Sequence, residues 1–455
     1  MRLRWWVGST VLAVLGAVAV MAVAVLLVGP PGPGLPGIFG SAGRSSATTP
    51  PVPHQLALTS HPAGATARIT GGDGKVITAE TPYDGDVTGG RITIELTRAG
   101  SNPLRTELDL DADREVQLWL DPEGSLHHKL GELKTEAAPN SIAFSPDGRE
   151  LWVSLLGAPG IEVFDTATQQ RLGSVDLGER GAVEAVFSKD GTTVYASQIG
   201  RAAVYAIDRE TRKVRRTIQT GGAGARGLAV SPDGGTLFVA NWESDDISQV
   251  DLASGRLARR IPTVGRPRGV YPSPDGKRLF VAGYRRGQLD VIDLATGEGA
   301  VVTRTDGAFR EVLADRAGAR LYALDEGTDS AWILDAAGGR GRRLAATDTR
   351  PTTADLSPDG RVLYVASKGE AGSSEDEPGP EWGSVLALDA STGKPLDAIV
   401  GGDQTSGLDV SPDGKRLAFT DFLDDRVQLY EVPATDRLLT GGGGRYRASR
   451  LEIAK

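Results

Sequence analysis

Three arginines occupy the same position in successive copies of an internal repeat. Arg226, Arg268 and Arg310 each lie five residues before a tight-turn motif, Ser-Pro-Asp-Gly or a variant of it. Guanidinium groups held at one level could bind a carboxylate or a phosphate through forked hydrogen bonds. Glu184 and Glu311 lie one residue further along their own repeats. The alternative is that the arginines pair with these glutamates and with acidic loop residues as a structural ring.

Residue types that commonly do redox or nucleophilic chemistry are scarce. The chain has no Cys, four His (positions 54, 61, 127 and 128) and two Met (positions 1 and 21). Disulfides, iron–sulfur clusters, thiolate zinc sites and covalently attached haem are therefore excluded. His-dependent catalysis is also excluded after residue 128. A divalent metal held by carboxylates remains an alternative, with candidate ligands Glu184, Glu311, Asp355 and Asp409.

Seven repeats, spanning residues 125–455, must position these side chains. The turn motif begins at spacings of 43, 43, 42, 42, 42 and 54 residues, at Ser145, Ser188, Ser231, Ser273, Asp315, Ser357 and Ser411. An acidic residue follows each turn by twenty residues, except in the sixth repeat, where Asp389 is displaced by twelve. The sixth repeat therefore contains a twelve-residue insertion.

Each repeat is predicted to form four β-strands. In the first repeat the strands are Ile142 to Phe144, Leu151 to Ser154, Ile161 to Asp165 and Gln170 to Leu177. Four strands in a period of about 42 residues are typical of a β-propeller blade. The sequence thus predicts an all-β fold with a seven-bladed propeller whose first strands line the channel. The predicted channel mouth is formed by Asn140, Val183, Arg226, Arg268, Arg310, Thr352 and Ser406.

Two segments are candidates for the strand that closes the ring. The stretch His128 to Leu133 precedes the first blade and has the character of a fourth strand. Arg445 to Ile453 follows the last blade. The sequence leaves both possibilities open.

The repeats resemble the YVTN type of propeller repeat. The resemblance is carried by Ser231-Pro232-Asp233-Gly234, Leu237-Phe238-Val239-Ala240-Asn241 and Ser248-Gln249-Val250-Asp251-Leu252, and it recurs in register across residues 125–455. Propellers related to this type include lactonases, nitrite and nitrous oxide reductases and quinoprotein dehydrogenases. The scarcity of His, Cys and Met argues against the redox members of that group.

Loops between the second and third strands of each blade are expected to reach the same face as the arginines. They contribute Trp242, Tyr284 and Arg285 as further candidate ligand-binding residues. The insertion in blade six, Gly369 to Gly383, is acidic and could act as a lid or as a hook for a partner. The alternative is an insertion that the surface merely tolerates. Its charged residues are Glu370, Glu375, Asp376, Glu377 and Glu381, beside Trp382.

Residues 54–122 are predicted to form a small antiparallel β-sandwich. Period-two alternation places apolar side chains on one face in Ile92 to Leu96 and in Val116 to Leu120. The segment resembles the PEGA domain through Pro62-Ala63-Gly64-Ala65, Thr81-Pro82 and Gly89 to Leu96, with Ala63 where that family has Glu. The resemblance implies a non-catalytic extracytoplasmic module.

The first 28 residues are predicted to anchor the chain in a membrane. Val7 to Val28 is an uncharged run of 22 residues preceded by Arg2 and Arg4. Such a run is long enough to cross a bilayer, and the preceding charges place the N-terminus in the cytoplasm. A cleaved signal peptide is the alternative. Residues 1–28 would thus be the anchor and residues 29–53 a linker rich in Pro, Gly and Ser.

Together these features predict a membrane-anchored extracytoplasmic protein, periplasmic or extracellular, that binds ligands or scaffolds partners. Its propeller would recognise a protein, a cell-envelope component or a small anion, with no cofactor. A net charge of −9 argues against a nucleic-acid partner. The alternative function is a lactonase-like hydrolase with a carboxylate-bound divalent metal in the channel.

Overall fold

The Ser-Pro-Asp-Gly repeats fold into seven four-stranded antiparallel sheets in the computed structural model, which describes residues 52–455 except 264, 338–339, 375–376 and 442–443. The innermost strands of neighbouring sheets pack against each other, and the innermost strand of the seventh sheet packs against that of the first. The sheets therefore form a closed ring. This architecture confirms the predicted all-β propeller.

The strands of the first four blades follow the repeat boundaries closely. Blade one contains β9 (Pro139–Phe144), β10 (Glu150–Leu155), β11 (Gly160–Asp165) and β12 (Arg171–Val175). Blade two contains β13 (Ala182–Phe187), β14 (Thr193–Gln198), β15 (Ala203–Asp208) and β16 (Lys213–Gln219). Blade three contains β17 (Ala225–Val230), β18 (Thr236–Asn241), β19 (Asp246–Asp251) and β20 (Arg256–Pro262). Blade four contains β21 (Pro267–Pro272), β22 (Arg278–Gly283), β23 (Gln288–Asp293) and β24 (Gly299–Arg304).

The remaining three blades also contain four strands each. Blade five contains β25 (Phe309–Ala314), β26 (Arg320–Asp325), β27 (Ser330–Asp335) and β28 (Arg342–Ala346). Blade six contains β29 (Pro351–Leu356), β30 (Val362–Ser367), β31 (Ser384–Asp389) and β32 (Pro395–Val400). Blade seven contains β33 (Thr405–Val410), β34 (Arg416–Asp421), β35 (Arg426–Glu431) and, from the other end of the repeat region, β8 (His128–Lys134).

The tight turn after each innermost strand is fixed by its own side chains, as blade three shows. Ser231 Oγ accepts a hydrogen bond from the Thr236 amide at 2.8 Å, and Asp233 Oδ1 accepts one from the Gly235 amide at 3.0 Å. Gly234 adopts a left-handed φ of +77°, which a residue with a Cβ rarely adopts. Local chemistry therefore sets where each innermost strand ends.

Closure of the ring decides between the two candidate segments. β8 pairs antiparallel with β35, from His128 opposite Glu431 to Lys134 opposite Arg426. The stretch from 445 to 453 is not a strand but mostly helix α2 (Gly444–Glu452), which follows the short helix α1 (Thr435–Thr440). Its buried residues Arg445, Ser449 and Ile453 recur every four positions, the spacing of one helix face.

The strands before the propeller form two further sheets. One has the order β3 (Val76–Glu80), β2 (Thr66–Thr70), β5 (Gly90–Thr97) and β6 (Leu104–Leu110). The other has the order β4 (Tyr83–Thr88), β1 (Pro53–His61) and β7 (Arg114–Trp119). The prediction of a purely antiparallel module is wrong at one pair, because β1 and β7 run parallel. These first and last strands of the module are joined through several intervening strands and not by a hairpin.

The predicted membrane anchor is not tested by the fold. Across the described part of the chain, no helix combines the length and the apolar character needed to span a membrane. Val7 to Val28 lies outside the described residues, as do Glu375 and Asp376 of the blade-six insertion.

Candidate functional site: the channel mouth

An irregularity at the start of each innermost strand lets two consecutive residues line the channel. The pairing register with the second strand shifts there in all seven blades, for example between Ala182 and Ala185 in blade two and between Phe309 and Glu311 in blade five. In a regular strand, adjacent side chains would point to opposite faces. A bulge re-aims one of them, and bulges are common beside functional sites.

The seven residues predicted to form the mouth all line one cavity of about 330 Å³. Six of the seven residues one position further along, including Glu184 and Glu311, line it as well. Asp355 and Asp409 lie deeper, two residues before their turns. Basic side chains come from blades three, four and five, whereas blades one, six and seven contribute the neutral side chains Asn140, Thr352 and Ser406.

The three arginines of the mouth differ in their pairing. Arg310 is buried, and its Nη1 donates to Glu326 Oε2 at 2.7 Å. Burial alone would raise the pKa of Glu326, but the charge and hydrogen bond of Arg310, together with the charges of Arg268 and Lys368, lower that pKa to about 2. Within the described residues, Arg226 and Arg268 form no ion pair, and Arg226 Nε has no hydrogen-bond partner. The structural-ring alternative therefore describes Arg310 and not the other two.

An aromatic residue holds the unpaired arginines in place. The guanidinium carbons of Arg226, Arg266 and Arg268 lie 4.8, 5.1 and 5.6 Å from the ring centre of Trp242. The Trp242 ring also contacts Tyr284, with 5.0 Å between ring centres. Cation–π contacts restrain a guanidinium without using its N–H donors. These donors consequently remain available to an anion.

Burial and mutual repulsion both disfavour the charges of the mouth arginines. Burial, followed by the charge of Arg310, lowers the pKa of Arg226 to about 10. Burial and the charges of Arg310 and Arg226 also lower the pKa of Arg268 well below its usual value. Each guanidinium thus carries its charge at a cost, and a bound anion would relieve that cost.

The two glutamates of the cavity are affected in the opposite direction. Burial and the charge of Glu311 raise the pKa of Glu184 to about 8, against the opposing attraction of Arg268. Burial raises the pKa of Glu311 to about 7; the Val312 amide and the charges of Arg268 and Arg310 oppose this rise, whereas the charge of Asp355 adds to it. Neither glutamate forms an ion pair with another described residue. Both carboxyls therefore hold their protons to unusually high pH.

The two deeper acidic residues, Asp355 and Asp409, accept hydrogen bonds from the backbone of neighbouring blades. Asp355 Oδ2 accepts a hydrogen bond from the Val410 amide of blade seven at 2.9 Å. Asp409 Oδ2 accepts one from the Phe144 amide of blade one at 2.6 Å. Burial, with the charge of Asp355, raises the pKa of Asp409 well above its usual value. These residues tie blades six, seven and one together across the channel.

The remaining candidates are placed less centrally. Arg285 is exposed on its loop and does not line the cavity. In the blade-six insertion, the Trp382 amide donates to the Ile453 carbonyl at 2.7 Å, so the C-terminal segment packs along it. Arg266, which contacts the Trp242 ring, was not among the residues predicted for the mouth. Its signal is the pattern Arg266-Pro267-Arg268, which places two arginines on one strand end.

The ring of sheets and its cationic mouth define the chain as a β-propeller protein. A family model described as a lactonase, 7-bladed beta-propeller, matches residues 108–271. That segment runs from β6 into β21 of blade four.

Two relatives illustrate the similarity. Antigen Lp49 of Leptospira interrogans serogroup Icterohaemorrhagiae serovar copenhageni (strain Fiocruz L1-130) is 39% identical over 83 residues, which are 18% of this chain and 18% of that protein. The matched segment thus spans less than one fifth of that curated relative. The solved structure of Kuenenia stuttgartiensis hydrazine synthase aligns with a TM-score of 0.58 and 22% identity, covering 66% of this chain and 97% of that one. The structural likeness concerns the fold alone.

Proposed function

We propose that this chain is a binding protein that recognises a small anion, or an anionic group of a protein or cell-envelope partner, at the channel mouth. One observation carries the proposal: Arg226 and Arg268 line the cavity without an ion pair in the described residues. Trp242 restrains both guanidiniums, so little side-chain entropy is lost when an anion binds. A carboxylate or phosphate would receive charge-assisted hydrogen bonds from both.

Charge reversal at the two arginines tests this function. We expect R226E and R268E each to weaken phosphate or acetate binding at least about tenfold, because each removes a charge-assisted hydrogen bond. Isothermal titration calorimetry measures the loss. R285E is the matched control, since Arg285 is exposed and lies outside the cavity lining. Equal affinities in all three variants would contradict an anion site at the mouth.

A lactonase-like hydrolase is the alternative, favoured by the description of the matching family model. In the part of the chain that is described, no three His, Cys, Asp or Glu side chains cluster as metal ligands. One carboxyl oxygen of Asp355 and one of Asp409 already accept hydrogen bonds from backbone amides of the neighbouring blades. Stoichiometric Ca, Mg or Zn in the purified protein, lost on D409N substitution, would favour the hydrolase over the binding protein.

We propose further that the N-terminal run anchors the protein, with the propeller outside the cytoplasm. Support comes from the sequence alone, through the 22 uncharged residues Val7 to Val28 and the preceding Arg2 and Arg4. We expect the mature protein to retain this run and to fractionate with membranes. N-terminal sequencing checks this, and a mature chain that begins beyond residue 28 would contradict it.

The YVTN and PEGA resemblances, and the division into residues 54–122 and 125–455, likewise remain predictions.

A further inference from the structure

Basic and acidic side chains lie at different levels of one cavity. Arg226 and Arg268 lie at the outer level, five residues before their turns. Glu184 and Glu311 come from the flanking blades two and five, and each lies one residue further along its strand. The cavity therefore presents cationic donors at its mouth and carboxyl groups below them.

The two glutamates are directed towards each other because the blades between them carry glycine at the same register. Gly227 in blade three and Gly269 in blade four leave that level without side chains. A Cβ on Gly269 would lie 3.0 Å from Glu311 Oε1, so the Glu311 side chain lies over this glycine. The nearby Leu228 amide opposes the rise in the pKa of Glu184, which indicates that the Glu184 carboxyl lies close to Gly227. The two carboxyls thus share the space beneath Arg268.

Neither the two arginines nor the two glutamates form an ion pair within the described residues, although Glu326 attracts Arg268 and Glu311 Oε1 accepts a hydrogen bond from the Val312 amide at 3.1 Å. Arg268 attracts both glutamates electrostatically but pairs directly with neither in the described residues. The neutral half is already occupied, since Asn140 Nδ2 donates to the Val183 carbonyl at 2.8 Å and Thr352 Oγ1 donates to the Ser406 carbonyl at 2.8 Å. The groups without an ion pair are therefore the guanidiniums of Arg226 and Arg268 at the mouth and, below them, the carboxyls of Glu184 and Glu311.

We propose, resting on the anion site proposed above, that the ligand is a small zwitterion, with its carboxylate on Arg226 and Arg268 and its ammonium on Glu184 and Glu311. A molecule of this class satisfies both unpaired sets at once. A simple anion satisfies only the mouth. The cavity of about 330 Å³ suits a small molecule of this kind.

Binding of the ammonium requires the glutamates to ionise. The pKa of Glu184 is about 8 and that of Glu311 about 7, so both carboxyls are largely protonated near pH 6. An ammonium favours the ionised carboxylate, so binding of the ligand at that pH releases protons from the two glutamates. Near pH 9, where both groups have already ionised, the release disappears.

Matched probes that differ only in the amine test the proposal. Isothermal titration calorimetry on the full chain would compare glycine, β-alanine and γ-aminobutyrate with acetate, propionate and butyrate, in buffers of different ionisation enthalpy. We expect one amino acid to bind about tenfold or more tightly than its matched acid, as one charge-assisted hydrogen bond provides. We also expect proton release near pH 6 that vanishes near pH 9.

Variants assign the effect to the glutamates. E184Q with E311Q should remove the preference for the amine and the proton release, while acetate and phosphate still bind. D306N is the control, because Asp306 is an exposed acid in the loop that leads into β25. Equal binding of amino acids and matched acids would overturn the zwitterion proposal and leave the anion site intact. Failure of every probe, phosphate included, would overturn both.

Discussion

Replacing Asp397 by alanine is expected to lower the free energy of unfolding by about 3–5 kcal/mol, the usual cost of leaving the partners of a buried ionic group unsatisfied. Asp397 lies on β32 of blade six and is fully buried. Its Oδ2 accepts hydrogen bonds from the Leu126 amide at 2.9 Å, the His127 amide at 3.1 Å and His127 Nδ1 at 2.7 Å. The residues it holds come directly before β8, the strand that closes the ring.

The effect should be large because one carboxylate fixes the entry of a strand that is remote in sequence. β8 comes from the start of the repeat region and pairs with β35 at its end. Without Asp397, the Leu126 and His127 amides and His127 Nδ1 would lose their shared acceptor in a buried or partly buried place. Loosening β8 would expose the apolar cluster that Leu133 shares with Val427 and Leu429.

Denaturant unfolding followed by tryptophan fluorescence, together with the thermal midpoint, measures the loss. Y364F removes the hydroxyl that lies 3.2 Å from His127 Nε2 and should cost only about 1 kcal/mol, the value of a single neutral hydrogen bond. E298A alters an exposed acid and should leave the midpoint unchanged. If D397A unfolds at the same midpoint as E298A, the ring is not held closed through this contact.

The blades were predictable because their boundaries are set by local chemistry. The Ser-Pro-Asp-Gly turn fixes its own geometry through hydrogen bonds within six residues, such as the one from the Thr236 amide to Ser231 Oγ. Counting back from each turn therefore gives the same depth in every blade. This count brought seven side chains into one cavity, although they come from seven separate segments.

The pairing of the mouth arginines was not predictable from that count. Arg226, Arg268 and Arg310 are equivalent in the repeat, yet among the described residues only Arg310 of the three forms an ion pair, with Glu326 directly after β26. The difference depends on how far a loop folds back over the mouth, and nothing in the spacing encodes this. The position of Glu311 over Gly269 likewise depends on the distance between adjacent blades.

The closing strand was undecided for a related reason. His128 to Leu133 and Arg445 to Ile453 are both short and both contain charged residues. Helical spacing of Arg445, Ser449 and Ile453 marks the second segment as α2 once their burial is known. A pattern of polar and apolar residues alone does not reveal it, because two of the three buried residues are polar.

Substituting Gly227 by alanine is expected to be the most disruptive single-methyl change at the mouth. A Cβ on Gly227 would lie 1.8 Å from the Arg268 carbonyl oxygen and 3.0 Å from the carbonyl carbon. Both atoms belong to the backbone of the neighbouring blade, so no side-chain rotation can relieve the clash. Blades three and four would have to separate, at an expected cost of about 3 kcal/mol, the upper end of the usual range for overpacking.

Because the clash falls on the backbone of Arg268, stability and binding should decline together in G227A. Calorimetric titration with phosphate should show weaker binding, and thermal unfolding should occur at a lower temperature. G200A is the matched control, since a Cβ at Gly200 would meet no atom within 4 Å. If G227A kept wild-type stability and affinity, the close approach of blades three and four would not matter for the mouth. If stability fell while phosphate affinity stayed unchanged, Arg268 would not be a ligand of the anion, and the site would depend on Arg226 alone.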